Sequence, residues 1–474
     1  MKAKRILAFS LALATALSAF GCGKDDDKKK TTTTEPKKLE SHQQEQLDNL
    51  AENMENVRQL ESSEIDWFSF WDINPTEAED KEIGADLALF QTKYNGKINY
   101  IQTTWEKKFD DLAALVLSNN APDFIGADDM DIFPKCAIKD MIIPIDDYFD
   151  LDDPLWEGTK ESADKFEFQG HHYVSVIRND PSYIVIYNKN TIEENGLDDP
   201  AQLFADGEWN WDTFSEMCIE FTNPDEDKYA LDGWYYEKAF LQSSGVPLIG
   251  IEDGDLVNNI YSETLADVNN MMYDLQKNGV VYPKHDHGWQ LRGNLEGNGI
   301  GSGLTLFYPI GLWAIEQPPS KTEVYGDIAA GEVMFVPVPN SAESDAAYVP
   351  SRVHAFCLVK GGKNPEGVAA YLDCARYCEI DNSTAEITLE QLTKDYGWTQ
   401  EMIDMRDTIY EMSAENPVFD FEQGVSADLN SICDTAIRGT MNPQEQKTWT
   451  SVVEANAGSI DYLLKEAMDS MVKN

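Results

Sequence analysis

The chain opens on an apolar block and then settles into alternating short patterns. Residues 6–20 are almost wholly apolar, with Lys2, Lys4 and Arg5 ahead of them and small residues and a cysteine behind. That order reads as an export signal, removed or anchored once the chain has left the cytoplasm. The block is shorter than the about 20 apolar residues that cross a bilayer core, and no later stretch stays apolar for that long. Beyond it, residues 39–62 are polar with Leu47, Leu50, Met54, Val57 and Leu60 at helical spacing. This predicts an amphipathic helix, a spacer packed loosely on whatever follows.

From Ile65 the period changes. Residues 65–71 are aromatic and β-rich, residues 97–104 form a second candidate strand, and 122–127 a short apolar third. Between them, residues 106–119 carry Phe109, Leu112, Ala113 and Val116 on one helical face. Strands recur at 172–177 and 183–187. Helices are expected from Asn210, with Phe214, Met217, Cys218 and Phe221 on one side, and over 264–277, stopping at Gly279. Asn364, Pro365 and Glu366 supply the cap, proline and acid of a helix start, and Val368, Tyr371, Leu372 and Ala375 its buried side. The last ninety or so residues look mostly helical. Such alternation predicts an α/β architecture, a mainly parallel sheet with helices on both faces, whose ligands gather at the carboxyl ends of the strands. No period of about 20 to 50 residues repeats, which excludes a solenoid.

Charge divides the chain. Residues 23–38, with three aspartates, three lysines and four threonines in runs, hold six basic and four acidic residues and cannot build a core. They read as a flexible tether, followed by the spacer helix up to residue 63. Residues 39–474 hold 28 basic against 81 acidic residues, within a net charge of −48 for the chain. So anionic a surface repels phosphate backbones and anionic lipid heads, so nucleic acid is excluded as a partner and contact with a membrane needs a covalent anchor. Ser18-Ala19-Phe20-Gly21-Cys22 resembles a bacterial lipoprotein cleavage site, with Ala19 and Phe20 in place of the usual larger aliphatic and small residues. The resemblance implies lipidation of Cys22 and attachment to the outer face of the bacterial cell membrane. Past the tether and spacer about 410 residues remain, enough for two or three compact units at roughly 150 residues each.

Motifs for chemistry are scarce. The six cysteines beyond Cys22 match no zinc spacing, and Cys374 and Cys378, one helical turn apart, read as buried thiols. Residues 223–227 resemble a calcium loop only superficially, because Lys228 stands where glycine is required and Trp234 where the bidentate acid belongs. His285 and His287 have no identifiable metal partners and read as a surface turn. No nucleophile elbow, Walker loop or zinc-protease helix is present. A pair of carboxylates fit for glycoside hydrolysis can be proposed from 85 Asp and Glu residues in any case, so it carries no weight. The expectation is a binding protein without catalytic residues, metal or cofactor.

Three groups of segments then carry a likeness. Asn95-Gly96-Lys97, Trp105 and the run from Ser118 through Pro122-Asp123-Phe124-Ile125 form the first. Phe168-Gln169-Gly170-His171-His172-Tyr173, Ile186-Tyr187-Asn188-Lys189-Asn190, Asn195-Gly196-Leu197 and Glu208-Trp209-Asn210-Trp211-Asp212-Thr213-Phe214 form the second. Val336-Pro337-Val338-Pro339 and Lys363-Asn364-Pro365-Glu366 form the third. In this order and spacing the chain resembles family 1 extracellular solute-binding proteins of ABC importers. The resemblance implies a periplasmic-binding-protein-like fold of two α/β lobes that close over a ligand, a sugar or oligosaccharide in most members, for delivery to the membrane subunits of an ABC permease. It also implies discontinuous lobes: the first over residues 64–183 and 304–380, the second over 184–303 and 381–474. Crossings are then expected near 182–187, 303–308 and 376–381. A monomer suits such closure.

Sugars offer apolar ring faces and equatorial hydroxyls, so their sites pair flat aromatic side chains with carboxylates, amides and guanidinium groups. Placed at strand ends and lobe edges, the candidates are Trp71 and Asp72, Asp128 and Asp129, Arg178 and Asp180, Trp234 and Tyr235, Tyr308 and Trp313, and Arg352. Trp209 and Trp211, at a helix start, read as packing residues instead. The alternative from another class is a surface lipoprotein that grips polysaccharide or a protein partner without feeding a transporter, which calls for an open groove or flat patch.

Overall fold

The computed structural model describes residues 39–55, 57–74, 83–292, 299–441 and 446–470. The export signal, Cys22 and the tether lie outside them. In chain order the strands are β1 (Glu64–Ser69), β2 (Lys97–Gln102), β3 (Phe124–Gly126), β4 (Glu167–Phe168), β5 (His171–His172), β6 (Ser175–Pro181), β7 (Ile184–Asn188), β8 (Tyr229–Leu231), β9 (Ile249–Glu252), β10 (Asp255–Asn258), β11 (Thr305–Ile310), β12 (Val333–Pro337), β13 (Val349–Leu358) and β14 (Pro417–Val418).

Two sheets organise the molecule. The first runs β14-β13-β3-β1-β2, with β6 also paired to β13; the second runs β12-β7-β11-β8. In the first, β2, β1 and β3 are parallel, while β13 is antiparallel to β3 and β6 and parallel to β14. In the second, β7 is antiparallel to β12 and β11, and only β11 with β8 is parallel. Both sheets are therefore mixed, where the alternation of elements predicts mainly parallel ones. Parallel pairs arise from strand–helix–strand units, and the antiparallel ones form largely where a strand enters its sheet from the other half of the molecule.

The chain leaves the first sheet after Pro181 and enters the second at Ile184. Its return differs from the expected 303–308: β11 and β12 both pair in the second sheet, and only β13 lies in the first. The run 304–310 is apolar at nearly every position, which suits a fully buried strand in either sheet, so its pattern could not say which. The last crossing is also later than 376–381. Helix Pro365–Ile380 packs on β1 and β6, and the following helix Asn382–Glu390 still packs on helix Ser41–Asn53. Only at Trp398, whose indole donates to the Ile315 carbonyl and packs on Phe335 of β12, has the chain reached the second sheet. Helix Ser41–Asn53 is itself no loose spacer: Leu47, Leu50 and Ala51 are buried against the first half, packing on helix Ala85–Tyr94.

Local signals explain the elements. Asn210 caps helix Trp211–Phe221 by accepting from the Asp212 and Thr213 amides, and Asn364 caps helix Pro365–Ile380 through the Gly367 amide. The first helix buries Trp211, Phe214, Met217, Cys218 and Phe221, and Phe214 stacks on Phe307 of β11 at 5.1 Å. In the first sheet Trp67, Phe124 and Phe356, from three adjacent strands, form one aromatic cluster with centroids 4.9 to 5.8 Å apart. Each such buried side chain contributes about 1.5–3 kcal/mol.

Candidate ligand-binding cavity

A cavity of about 1030 Å³ lies between the two sheets. The first half contributes the ends of β1 (Ser69, then Phe70 and Trp71), Trp105 and Lys108 after β2, Asp128 and Asp129 after β3, and Ser351 and Arg352 of β13. From the second come Tyr235, Lys238 and Gln242 at helix Tyr236–Ser243, and Gly311, Trp313 and Gln317 after β11. Ser182 and Tyr183 line it from the crossing, and Asp420, Glu422, Gln423 and Asn430 from the C-terminal region. The cavity thus sits at the carboxyl ends of β1, β2, β3 and β11, where open α/β sheets place their ligands.

Its walls hold exposed aromatic rings. Phe70, Trp71, Trp105 and Trp313 are 38% to 46% exposed, although each is large and apolar. Two of them meet edge to face, Phe70 and Trp105, at 5.4 Å, and the Lys108 ammonium lies 3.9 Å from the Trp105 ring centre. Trp71 is braced by Trp67, whose indole donates to its carbonyl. Trp313 folds back over Gly311, where any Cβ would come within 2.4 Å of the indole nitrogen. Tyr183 and Tyr235 stack at 5.7 Å, and burial pushes the Tyr183 hydroxyl up to about 12.

The polar groups are held in place. Asp128 accepts from the Ala355 amide and faces the His354 ring at 3.5 Å. Lys108 bridges Asp129 at 3.2 Å and Asp131 at 2.6 Å, yet burial still lifts Asp129 above its ordinary carboxyl value. Lys238 pairs with Glu422. Asp420 accepts from the amides of Leu248, Ile249 and Glu422. The segment that carries these last acids docks tightly, because a Cβ on Gly424 would fall 1.9 Å from the Phe133 carbonyl oxygen. Against this order, four wall residues keep a buried polar atom without a partner among the described residues: Gln242, Arg352, Glu422 and Asn430. Unpaired buried polar atoms are costly, so these four side chains in the wall have hydrogen-bonding capacity left over.

Of the residues singled out from sequence, Trp71, Asp128, Asp129, Tyr235, Trp313 and Arg352 line this cavity. Five do not. Asp72 closes a local turn on the Asn74 amide. Arg178 and Asp180 pair with each other at 2.7 Å, and Arg178 also reaches Glu379 at 2.5 Å. Trp234 packs over the Lys284 ammonium at 4.9 Å. Tyr308 is buried within the second sheet's core, 6.1 Å from the Tyr325 ring, and burial drives its hydroxyl pKa far up. Residues 420–430 were missed because they lie far along the chain from every other wall residue. Lys238 and Gln242, four apart on a helix, gave the one signal that could have been followed.

The superficial calcium loop holds Arg292 instead, whose guanidinium binds the Asp227 carboxylate at 2.6 Å and its carbonyl at 2.7 Å. His287 stacks on Tyr282, and His285 meets Asp286 at 3.2 Å. Cys374 and Cys378 are free thiols, as are the other four cysteines of the described residues. No described helix is long and apolar enough to cross a membrane.

Residues 73–376 match the family of bacterial extracellular solute-binding proteins. The chain belongs to that family. No curated protein sequence matches it. Among solved structures, this solute-binding protein is similar to the ABC substrate-binding protein Lmo0181 of Listeria monocytogenes, solved with cycloalternan: TM-score 0.59, 16% identity, 85% of this chain and 99% of that one. It is similar to the GacH receptor of Streptomyces glaucescens, solved unliganded and with acarbose, at TM-score 0.59, 15% identity and the same coverage. It is also similar to UgpB of Mycobacterium tuberculosis, in complex with glycerophosphocholine, at TM-score 0.59 and 14% identity over 86% and 100% of the two chains. At such identities the likeness is one of fold: the two-lobed fold of periplasmic binding proteins. The family and these neighbours are binding proteins, not enzymes.

Proposed function

We propose that this solute-binding protein captures a sugar or oligosaccharide in the cavity between its sheets and delivers it to the membrane subunits of an ABC permease, held at the outer face of the cell membrane by lipid on Cys22. The observation that carries the saccharide reading is the group of exposed rings, Phe70, Trp71, Trp105 and Trp313, set around carboxylates, amides and a guanidinium. Leaving such rings in water costs apolar surface, and a sugar's apolar face recovers it while its hydroxyls meet the polar atoms. Two of the neighbours were solved with saccharide-like ligands and one with glycerophosphocholine, so the proposal takes its ligand class from the cavity. Binding would favour the closed arrangement of the lobes, the form a permease can read, and needs no chemistry on the ligand.

A thermal-shift screen tests this. Purified protein lacking residues 1–38 is heated with mono- and oligosaccharides, amino acids, peptides and polyamines. A ligand that binds only the native form raises the melting temperature by mass action. A shift confined to one saccharide series is expected. No shift with any small solute, together with retention on a polysaccharide or protein partner, would replace the transport receptor with a surface-binding lipoprotein.

A further inference from the structure

One end of the cavity is short of a positive charge. Helix Tyr236–Ser243 presents Lys238 and Gln242 one turn apart, and the C-terminal region faces them with Asp420, Glu422 and Asn430. Asp420 and Glu422 are 6% and 2% exposed, and among the described residues the ammonium they share the site with is Lys238. That ammonium also lies 3.8 Å from Asp434, whose carboxylate is bound in turn by Arg438 at 3.0 Å.

The unpartnered atoms at this end are of one kind. Glu422 Oε2, Gln242 Oε1 and Asn430 Oδ1 are buried without a donor among the described residues. The two amides can be turned so that nitrogen replaces oxygen, but a carboxylate offers an acceptor from either side. As the amides are placed, Glu422 Oε2 has no donor among the described residues, and a buried carboxylate oxygen left so is costly. Hydroxyl groups would supply donors. They would not balance two enclosed carboxyls against one lysine, and burial and the neighbouring Glu422 push the Asp420 pKa up. Arg352, on the same cavity, does not invert this picture, because Asp180 and Glu316 lie close enough to offset it.

From this geometry we propose that the Lys238–Gln242 and Asp420–Asn430 end of the cavity is a subsite for a protonated amine carried by the ligand, with Glu422 as the residue that selects it. The proposal rests on the saccharide reading above and narrows it to an amino sugar. The ammonium would donate to Glu422 Oε2 and the amide oxygens, and its charge would displace the proton from Asp420. The titratable and charged groups around that proton are Glu422, Lys238, Asp434 and Cys433, with Tyr183, Tyr235 and Arg438 at the margin. The strongly anionic surface draws such a ligand in and repels a uronic acid.

Calorimetric titration of the purified full chain decides the matter. The probes are oligosaccharides of glucosamine, their N-acetylated counterparts and glucose oligosaccharides of the same length and linkage. Just below neutral pH the amine series is expected to bind at least about tenfold more tightly than the other two. Its binding should release a proton, seen as an enthalpy that varies with the buffer's ionisation enthalpy. In Glu422→Gln the ratio of amine to neutral affinity should fall to about one, whereas Trp313→Ala should weaken all series alike. Equal or tighter binding of the neutral or N-acetylated series overturns the amine subsite and leaves the saccharide receptor standing. So does an unchanged ratio in Glu422→Gln, or a thermal shift with some other saccharide when none of the three series binds. If no saccharide of any kind binds, the reading beneath it fails first.

Discussion

Replacing Asp123 by alanine should destabilise the fold far more than the loss of one surface acid. Asp123 is 4% exposed and sits just before β3. Its Oδ2 accepts from the Asp66 amide at 2.8 Å, and its Oδ1 from the amides of Lys363 and Asn364 at 2.6 and 2.8 Å. One carboxylate thus ties β1 to the start of helix Pro365–Ile380, which is capped by that same Asn364. Alanine leaves three amides without acceptors. At about 1–3 kcal/mol for each buried donor, and with water able to reach the loop at residues 363–364, the expected loss is about 3–5 kcal/mol. An asparagine in its place would keep the oxygen for Lys363 and Asn364 but point an amide nitrogen at the Asp66 amide, so Asp123→Asn should lose about 1–3 kcal/mol. Urea unfolding followed by tryptophan fluorescence measures both. A loss below about 1 kcal/mol for Asp123→Ala would mean that the three amides had found other partners, and the carboxylate would then not be the tie described.

Other consequences follow from the cavity and the buried groups. Trp313→Ala should weaken saccharide binding by about 1–2 kcal/mol, that is about 5- to 30-fold by titration calorimetry, with little change in melting temperature of the unliganded protein because the ring is already half exposed. Asp420 holds its proton more tightly in the folded chain, with a pKa pushed from 3.8 to about 7. Its contribution to stability is therefore full below the ordinary carboxylate value and is lost as pH rises through the window up to about 7. Wild type minus Asp420→Asn, compared by urea unfolding across that window, should decline with pH, and a flat difference would contradict the assignment. The six thiols beyond Cys22 are free, five buried and Cys378 half-buried, so a thiol reagent should label them slowly in the native state and fully in denaturant without reductant. Labelling of fewer than six after unfolding would show that a disulfide exists.

Much of the fold could be read from local pattern, and the reasons are visible in single residues. Asn210 and Asn364 cap the helices they were expected to start, because a cap is a property of a few adjacent residues. The alternation at Phe214, Met217, Cys218 and Phe221 buries the face it predicts. Sheet membership was harder. The all-buried β11 looks the same wherever it pairs, so the expected return at residue 304 was misplaced, and the true return waits for β13. Nor could period-2 reasoning tell that Tyr308 points into the core while Trp313, five residues on and past Gly311, turns toward the cavity. Asp420, Glu422 and Asn430 were illegible for a further reason. They meet Lys238 and Gln242 only through the third dimension, across about 180 residues of chain, and no local spacing announces such a meeting.

What occupies the cavity at the carboxyl ends of β1, β2, β3 and β11 would be seen in a crystal structure of the protein with the saccharide that raises its melting temperature most. Sugar rings are expected against Trp71, Trp105 or Trp313, with hydroxyl or amine groups within hydrogen-bond reach of Glu422, Gln242 or Arg352. Sugar bound elsewhere, with this cavity holding only solvent, would show that the exposed rings serve some other purpose and that the binding site lies outside the cavity.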